Sequence, residues 1–338
     1  MTDLLDQHDV LLADLDGTLY RGAEAVPGAV EAISGAAARG VRTVFVTNNA
    51  SRRPADVAAH LAELGFAAAT EDVVTSAQAG AAMLAEQLAP GSPVYVVGTE
   101  ALAAEVTGVG LTVTTRGDDA VAVVQGHSPD TGWRNLAEAT VALRAGAVWV
   151  ACNLDPTLPT ERGPLPGNGS MVTALRVASG REPQVAGKPA PALVDASVRR
   201  VGARRPLMIG DRLDTDIEGG RVAGMPTLLV LTGVSDAAEL LPAPAERRPD
   251  YVSADLGGLT DGPDHLALRP QPGWDVDGGD GHWTLTGDGR DPVDALRTLC
   301  AAHWADGGGP VEVTAANRNA ADVLEALGLS ASSATVQS

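Results

Sequence analysis

The segment DLDGT, residues 14–18, sets two carboxylates, Asp14 and Asp16, at the end of the apolar run Val10 to Ala13. Carboxylates beside a dry strand are costly unless a divalent cation holds them or they handle protons, and one of such a pair can also attack an electrophile. The run VLLA is short and continuously apolar, as suits a parallel strand covered on both faces, and Gly17 lets the backbone turn sharply after it. Asp14 is therefore expected at the carboxyl end of a strand, the end that borders the ligand crevice in open parallel sheets. A calcium loop does not fit: counted from Asp14, the sixth position is Leu19 and the twelfth is Ala25, where Gly and Glu are needed. A solvated acidic turn remains the alternative for this pentapeptide alone.

Three more segments carry polar residues suited to chemistry: VTNN at 46–49, GKP at 187–189 and GDRLDTD at 210–216. The elements that must position them are apolar runs alternating with Ala-rich stretches of helical period, which indicates an α/β architecture. The runs are Val10 to Ala13, Val41 to Val46, Val94 to Val97, Ala120 to Val124, Ala147 to Ala151, Leu207 to Ile209 and Thr227 to Leu231. Asp14 follows the first, Thr47 and Asn48 the second, and Asp211 the run containing Met208. If these strands are parallel neighbours, their polar ends converge on one cleft. Helices are expected over Pro27 to Ala38, ending at Gly40, over Pro54 to Leu64, ending at Gly65, and over Asp216 to Ala223, closed by Gly224 and Pro226.

With 338 residues the chain has length for two or three cores. Apolar residues make up 45% and aromatics only 3%, so packing must be aliphatic, and stacking on nucleic-acid bases is not expected. The formal charge of −19 argues against a nucleic-acid or anionic-membrane partner. A small anionic substrate then needs local compensation by a metal ion and a few basic side chains. Cys152 and Cys300 are far apart and beside no His-rich spacing, which suggests core thiols and neither a zinc site nor a disulfide framework. The segment MTDLLDQHDV lacks the features of a signal peptide, and no run of about 18 apolar residues occurs, so a cytoplasmic chain without membrane insertion is expected.

The four motifs, taken in order, resemble those of the haloacid dehalogenase superfamily of phosphohydrolases over about residues 8–255. The resemblance implies a doubly wound parallel sheet as catalytic core, Mg2+ as cofactor and a small phosphorylated metabolite as substrate. It implies Asp14 as nucleophile and metal ligand, the carbonyl of Asp16 as a second ligand with its side chain as general acid and base, and Asp211 as the third protein ligand. Thr47 would donate to the phosphoryl group, although a hydroxyl that merely satisfies a strand end fits it equally. Asn48 and Asn49 fit phosphate binding through side-chain or backbone N–H groups, and Asn is also a good helix cap for the helix beyond Pro54. Lys188, held between Gly187 and Pro189, would place an ammonium beside the phosphate. Asp216 resembles the family's additional acid, which orients metal-bound water or Lys188. Asp214 fits an N-cap as well, and Arg212 a partner for either acid.

From Asn49 to Lys188 is far longer than one crossover requires, and the interval has its own strand-like runs, so an inserted α/β cap is expected. The boundaries are 1–78 and 186–258 for the core, 79–185 for the cap and 265–330 for a small C-terminal α+β domain, with 331–338 as a disordered tail. The cap resembles that of the subfamily acting on sugar phosphates, nucleotides, phosphoglycolate and pyridoxal phosphate, and it implies a homodimer through the cap. CNLDPTLP at 152–159, with Asn153 and Asp155, and PGNGS at 166–170 look like its specificity region, the second being equally a Gly- and Asn-rich turn. The chain departs from many relatives at Gly126 and His127, where Asp is usual at the second position. A specificity contact carried over to His127 is therefore weighed against a solvated loop histidine.

The closing ANRNAADVLEALGLS resembles the N-acetyltransferase superfamily, yet no loop of the kind that binds the pyrophosphate of acetyl-CoA is found. A degenerate domain of that family is expected. Joined to a capped phosphatase in an Ala- and Arg-rich chain, it resembles an actinobacterial group acting on glycerol 3-phosphate, and this sets the substrate expectation. Two other outcomes stay open: a ligand- or partner-sensing module acting through the C-terminal domain, and phosphotransfer between metabolites.

Overall fold

The computed structural model describes residues 2–160 and 162–329. The expected tail at 331–338 lies outside the described residues. The chain divides into two compact units, Met1–Thr43 with Arg204–Ser338, and Val44–Ala203.

In the first unit four parallel strands lie side by side in the order Tyr251–Ser253, Thr227–Val230, Pro206–Gly210, Val10–Ala13. All four residues of Val10–Ala13 are buried, which is why this strand is apolar without alternation. A second sheet follows in the chain: Trp274–Gly279 pairs antiparallel with His282–Gly287, which pairs parallel with Glu312–Ala315. The hairpin between the first two turns on Asp280 and Gly281, both at positive φ, 51° and 78°, the pairing a two-residue turn demands. The helices Pro292–Ala305 and Arg318–Ala326 belong to this small α+β part. Its Trp274, Trp283, Leu296 and Leu299 share one hydrophobic core with Leu213, Ile217, Leu229 and Val252, which lie in or beside the four-stranded parallel part of the same unit.

The second unit holds a five-stranded parallel sheet in the order Gln184–Val185, Val148–Ala151, Ala122–Gln125, Pro93–Val97, Thr112–Thr114. Tyr95, Val97, Val123, Trp149 and Ala151 pack on one face against Ala139, Leu143, Val172 and Leu175 of the helices Trp133–Arg144 and Asn168–Ser179. The strand Arg42–Thr47 enters this unit and runs parallel to Val73–Thr75. An antiparallel hairpin, Thr157–Thr160 with Gly163–Pro166, falls within the expected specificity region.

The architecture is α/β, with parallel sheets flanked by helices and a small C-terminal sheet domain. The seven expected strands are present, with ends shifted by up to two residues. One expected helix differs. Instead of starting at Asp216, the segment opens with a π-helical turn, Leu213–Ile217, and continues as a short α-helix, Glu218–Val222. Among the described residues, no helix is long and apolar enough to cross a membrane.

Candidate active site

Two parallel strands of the first unit deliver the acids. Val10–Ala13 and Pro206–Gly210 pair with Ala13 opposite Ile209, so the residues just beyond them leave the sheet at the same edge. The amide of Asp14 still donates to the Ile209 carbonyl at 2.9 Å. Asp211 is fully buried. Its Oδ1 accepts from the Thr18 hydroxyl at 3.3 Å and its Oδ2 from the Val234 amide at 2.7 Å. Two glycines make room for it: a Cβ at Gly17, where φ is +87°, or at Gly233 would overlap its carboxylate. The Thr232 hydroxyl donates to the Gly17 carbonyl at 2.6 Å, and the Arg21 guanidinium donates to the Thr232 carbonyl, which ties down the DLDGT turn.

The π-helical turn brings Asp216 back against Gly210, where a Cβ would overlap its side chain, and its Oδ2 accepts from the Arg212 amide at 3.1 Å. Arg212 resolves its own choice by a bidentate pair with Asp214, at 3.0 and 2.9 Å. Asp214 is thereby a guanidinium partner and not a helix cap. Asp14, Asp211 and Asp216 each offer a carboxylate oxygen, all within 4.8 Å of one another. Asp16 is not in this group; it is exposed and bridges to Tyr20. Three hard oxygen donors at that range, with neither sulfur nor imidazole among them, fit Mg2+ and not a softer metal.

The second unit gathers the polar residues around Lys188, which is 2% exposed. Its Nζ donates to the Val46 carbonyl at 3.3 Å, and the bond to Pro189 is cis. The Asn48 side chain grips the lysine backbone, accepting from the Lys188 amide at 2.8 Å and donating to its carbonyl at 3.0 Å. Thr47 ends the strand, and its Oγ1 accepts from the Asn49 amide at 3.1 Å, which leaves the hydroxyl hydrogen to donate. Asn49 Oδ1 accepts from the Ser51 amide at 2.7 Å. Neither asparagine caps the next helix, Pro54–Glu63; that helix starts from Arg53, whose amide donates to Asp56 at 3.3 Å.

Of the three candidate specificity residues, Asn153 has its side chain on backbone groups. Asn153 donates to the Asn48 carbonyl at 2.7 Å and its Oδ1 accepts from the Asp155 amide at 3.3 Å. Asp155 is half-buried. The His127 carbonyl accepts from the Ser51 hydroxyl at 2.7 Å, and its ring is half-buried. Cys152 is fully buried, and burial pushes its thiol up to about 12, so it is a core thiol; burial raises the Cys300 thiol as well.

Sequence reasoning missed Thr232 and Gly233. They follow the strand Thr227–Val230, so the strand-end rule that found Asp14 could have found them. It also missed the role of Asn168, a buried residue opening a helix within PGNGS, which donates to the Asn153 carbonyl at 2.7 Å.

Parallel sheets with strand-end acids and a buried lysine are features of haloacid dehalogenase-like hydrolases, and the chain belongs to that family. The model of haloacid dehalogenase-like hydrolases matches residues 11–112, a second model of such hydrolases matches 185–259, and that of the GCN5-related N-acetyltransferase-like domain matches 271–329. The chain is 53% identical over 313 residues to the D-glycerol 3-phosphate phosphatase of Mycobacterium tuberculosis, covering 90% of this chain and 88% of that protein. It is 38% identical over 234 residues to an acid sugar phosphatase of Staphylococcus aureus, covering 68% and 89%. The crystal structure of a glycerol phosphate phosphatase from Mycobacterium tuberculosis in complex with magnesium superimposes with a TM-score of 0.92 at 52% identity, covering 98% of this chain and 100% of that one.

Proposed function

We propose that the chain is a Mg2+-dependent phosphomonoesterase acting on glycerol 3-phosphate, releasing glycerol and phosphate. The observation that carries this reading is the cluster of Asp14, Asp211 and Asp216, three carboxylates within 4.8 Å of one another. Asp14, Asp211 and the Asp16 carbonyl would hold Mg2+, with Asp216 orienting its surroundings. When bound, the ion offsets the charge of a phosphate dianion so that a carboxylate can approach it.

The protein's own residues then divide the work. An oxygen of Asp14 attacks phosphorus, the bond from phosphorus to the alcohol oxygen breaks, and Asp16 gives its proton to the leaving alkoxide. Asp16 next takes a proton from water as that water attacks the phosphorus of the aspartyl-phosphate, which frees Asp14 and inorganic phosphate. Proton transfer of this kind contributes about 10² to 10⁴-fold. Thr47 and Lys188 hold the phosphoryl oxygens. With the Asn48 side chain engaged on Lys188, any phosphate contact by Asn48 would fall to its backbone N–H.

Residues 1–78 and 186–258 form the catalytic core in this reading, 79–185 the cap and 265–330 the acetyltransferase-like domain. A homodimer through the cap is supported by the partly exposed Val109, Val113, Val121 and Val141. A cytoplasmic setting accords with a small phosphorylated metabolite as substrate.

Specificity constants for glycerol 3-phosphate, phosphoglycolate, sugar phosphates and pyridoxal phosphate test the substrate, with glycerol 3-phosphate expected highest. Turnover lost in EDTA and restored by Mg2+ is the expected metal response. Undiminished hydrolysis in EDTA would remove the metal from the account.

A further inference from the structure

The second unit contains a chain of amide side chains, half-buried at Asn48 and buried beyond it, that ends on Lys188. Asn48 holds the lysine backbone from both sides, at 2.8 and 3.0 Å. The carbonyl of Asn48 accepts from Asn153 Nδ2 at 2.7 Å and from the Ser76 hydroxyl at 2.6 Å. The carbonyl of Asn153 accepts in turn from Asn168 Nδ2 at 2.7 Å, and the same nitrogen donates toward the Gln125 carbonyl at 3.4 Å. Exposure falls along this path to 5% at Asn153, 2% at Asn168 and 0% at Gln125. Gly187, next to the lysine, has no room for a side chain, because a Cβ there would overlap the Cys152 carbonyl.

A buried donor that loses its acceptor meets no water, so such a chain has few alternative arrangements and transmits geometry from one member to the next. Asn153 has both ends of its amide on backbone groups, Nδ2 on Asn48 and Oδ1 on Asp155. That commitment suits holding a neighbour in place better than reading an alcohol.

We propose that Asn153 and Asn168 are positioning residues for Lys188, acting through Asn48, and do not select the substrate. The inference rests on the reading that Lys188 acts on the phosphoryl group. That group is common to all substrates, so weakening the chain costs every substrate alike.

The test compares kcat and KM for p-nitrophenyl phosphate and glycerol 3-phosphate in Asn153→Asp, Asn168→Ala and Lys188→Ala, with thermal unfolding as a check on folding. Asn153→Asp keeps the side-chain volume and loses the N–H that reaches Asn48. The expected result for both asparagine variants is a fall in kcat of about 10- to 100-fold, as small misplacements of a catalytic group produce. The loss should be equal for both substrates, with little change in KM. A loss confined to one substrate, or wild-type kcat in both variants, overturns the proposal. Should either variant fail to fold, Asn168→Ser, which keeps a shorter donor, decides by the same criteria. Lys188→Ala separates the two layers. If it turns over normally, the role of Lys188 is wrong; if it is inactive while the asparagine variants are normal, only the positioning inference falls.

Discussion

The carboxylate of Asp211 occupies the space into which a side chain at Gly17 would project. Gly17 stands at φ +87°, so alanine there meets both backbone strain and the acid. The strain alone is about 1–2 kcal/mol, and relief requires the Asp211 carboxylate to shift from its place. Gly17→Ala is expected to fold with a lowered melting temperature and to need at least about tenfold more Mg2+ for half-maximal activity, given how steeply a displaced ligand weakens a metal site. Titration of activity with Mg2+ reads this directly; an unchanged midpoint would mean that Gly17 serves the turn only.

The C-terminal domain shares its core with the parallel strands of the first unit. Arg297, 2% exposed, donates to the Val252 carbonyl through Nε at 3.1 Å and Nη2 at 2.7 Å, and through Nη1 to Asp294 at 2.6 Å. Arg297→Met keeps the stem but strands a buried carbonyl and a carboxylate, with an expected loss of about 2–4 kcal/mol in denaturant unfolding. Removing residues 265–338 uncovers Leu213, Ile217, Leu229 and Val252 together, and the shortened chain is expected to aggregate. A soluble, fully active truncation, followed by size-exclusion chromatography and turnover, would show instead that this domain is a separable module.

How much of this was legible in the sequence depends on how far each signal reaches along the chain. Asp14, Thr47 and Asp211 were legible because a continuous apolar run ending in a polar residue is a local pattern, and the parallel register then brings Asp14 beside Asp211. The grip of Asn48 on Lys188 spans 140 residues, and no local pattern distinguishes it from helix capping or phosphate binding. The strand Trp274–Gly279 was hidden by composition: WDVDGG alternates, but its outward positions are Asp275 and Asp277, residues that disfavour strands. The π-helical turn at Leu213–Ile217 was hidden because its acids read as the start of an ordinary helix.

Both thiols should be inert in the folded protein. Burial pushes Cys152 up to about 12 and raises Cys300 too, so the reactive thiolate is scarce at pH 8. Reaction with Ellman's reagent is expected at least about a hundredfold slower in the native state than in denaturant. Rapid native labelling of either cysteine would argue against these cores as described.

His8 makes stability sensitive to acid. Burial lowers its pKa below the usual value of about 6.5, opposed by the bond between its Nδ1 and the Arg205 carbonyl at 3.2 Å. A depressed pKa means that the unfolded chain binds the proton more readily. The contribution is therefore fully present above pH 6.5, the ordinary histidine value, and is lost as pH falls through the lower native value. Melting temperatures between pH 7.5 and pH 5 should fall more steeply for the native sequence than for His8→Asn. Equal slopes would place the acid sensitivity elsewhere.

In the proposed mechanism Asp14 carries the phosphoryl group in a covalent intermediate. Rapid acid quenching of the enzyme with phosphorus-labelled glycerol 3-phosphate, followed by peptide mapping, tests it most directly. A hydroxylamine-sensitive label is expected on the peptide containing Asp14 and absent in Asp14→Asn, which should also lack turnover. Sustained turnover in Asp14→Asn, or a label on another residue, would contradict it.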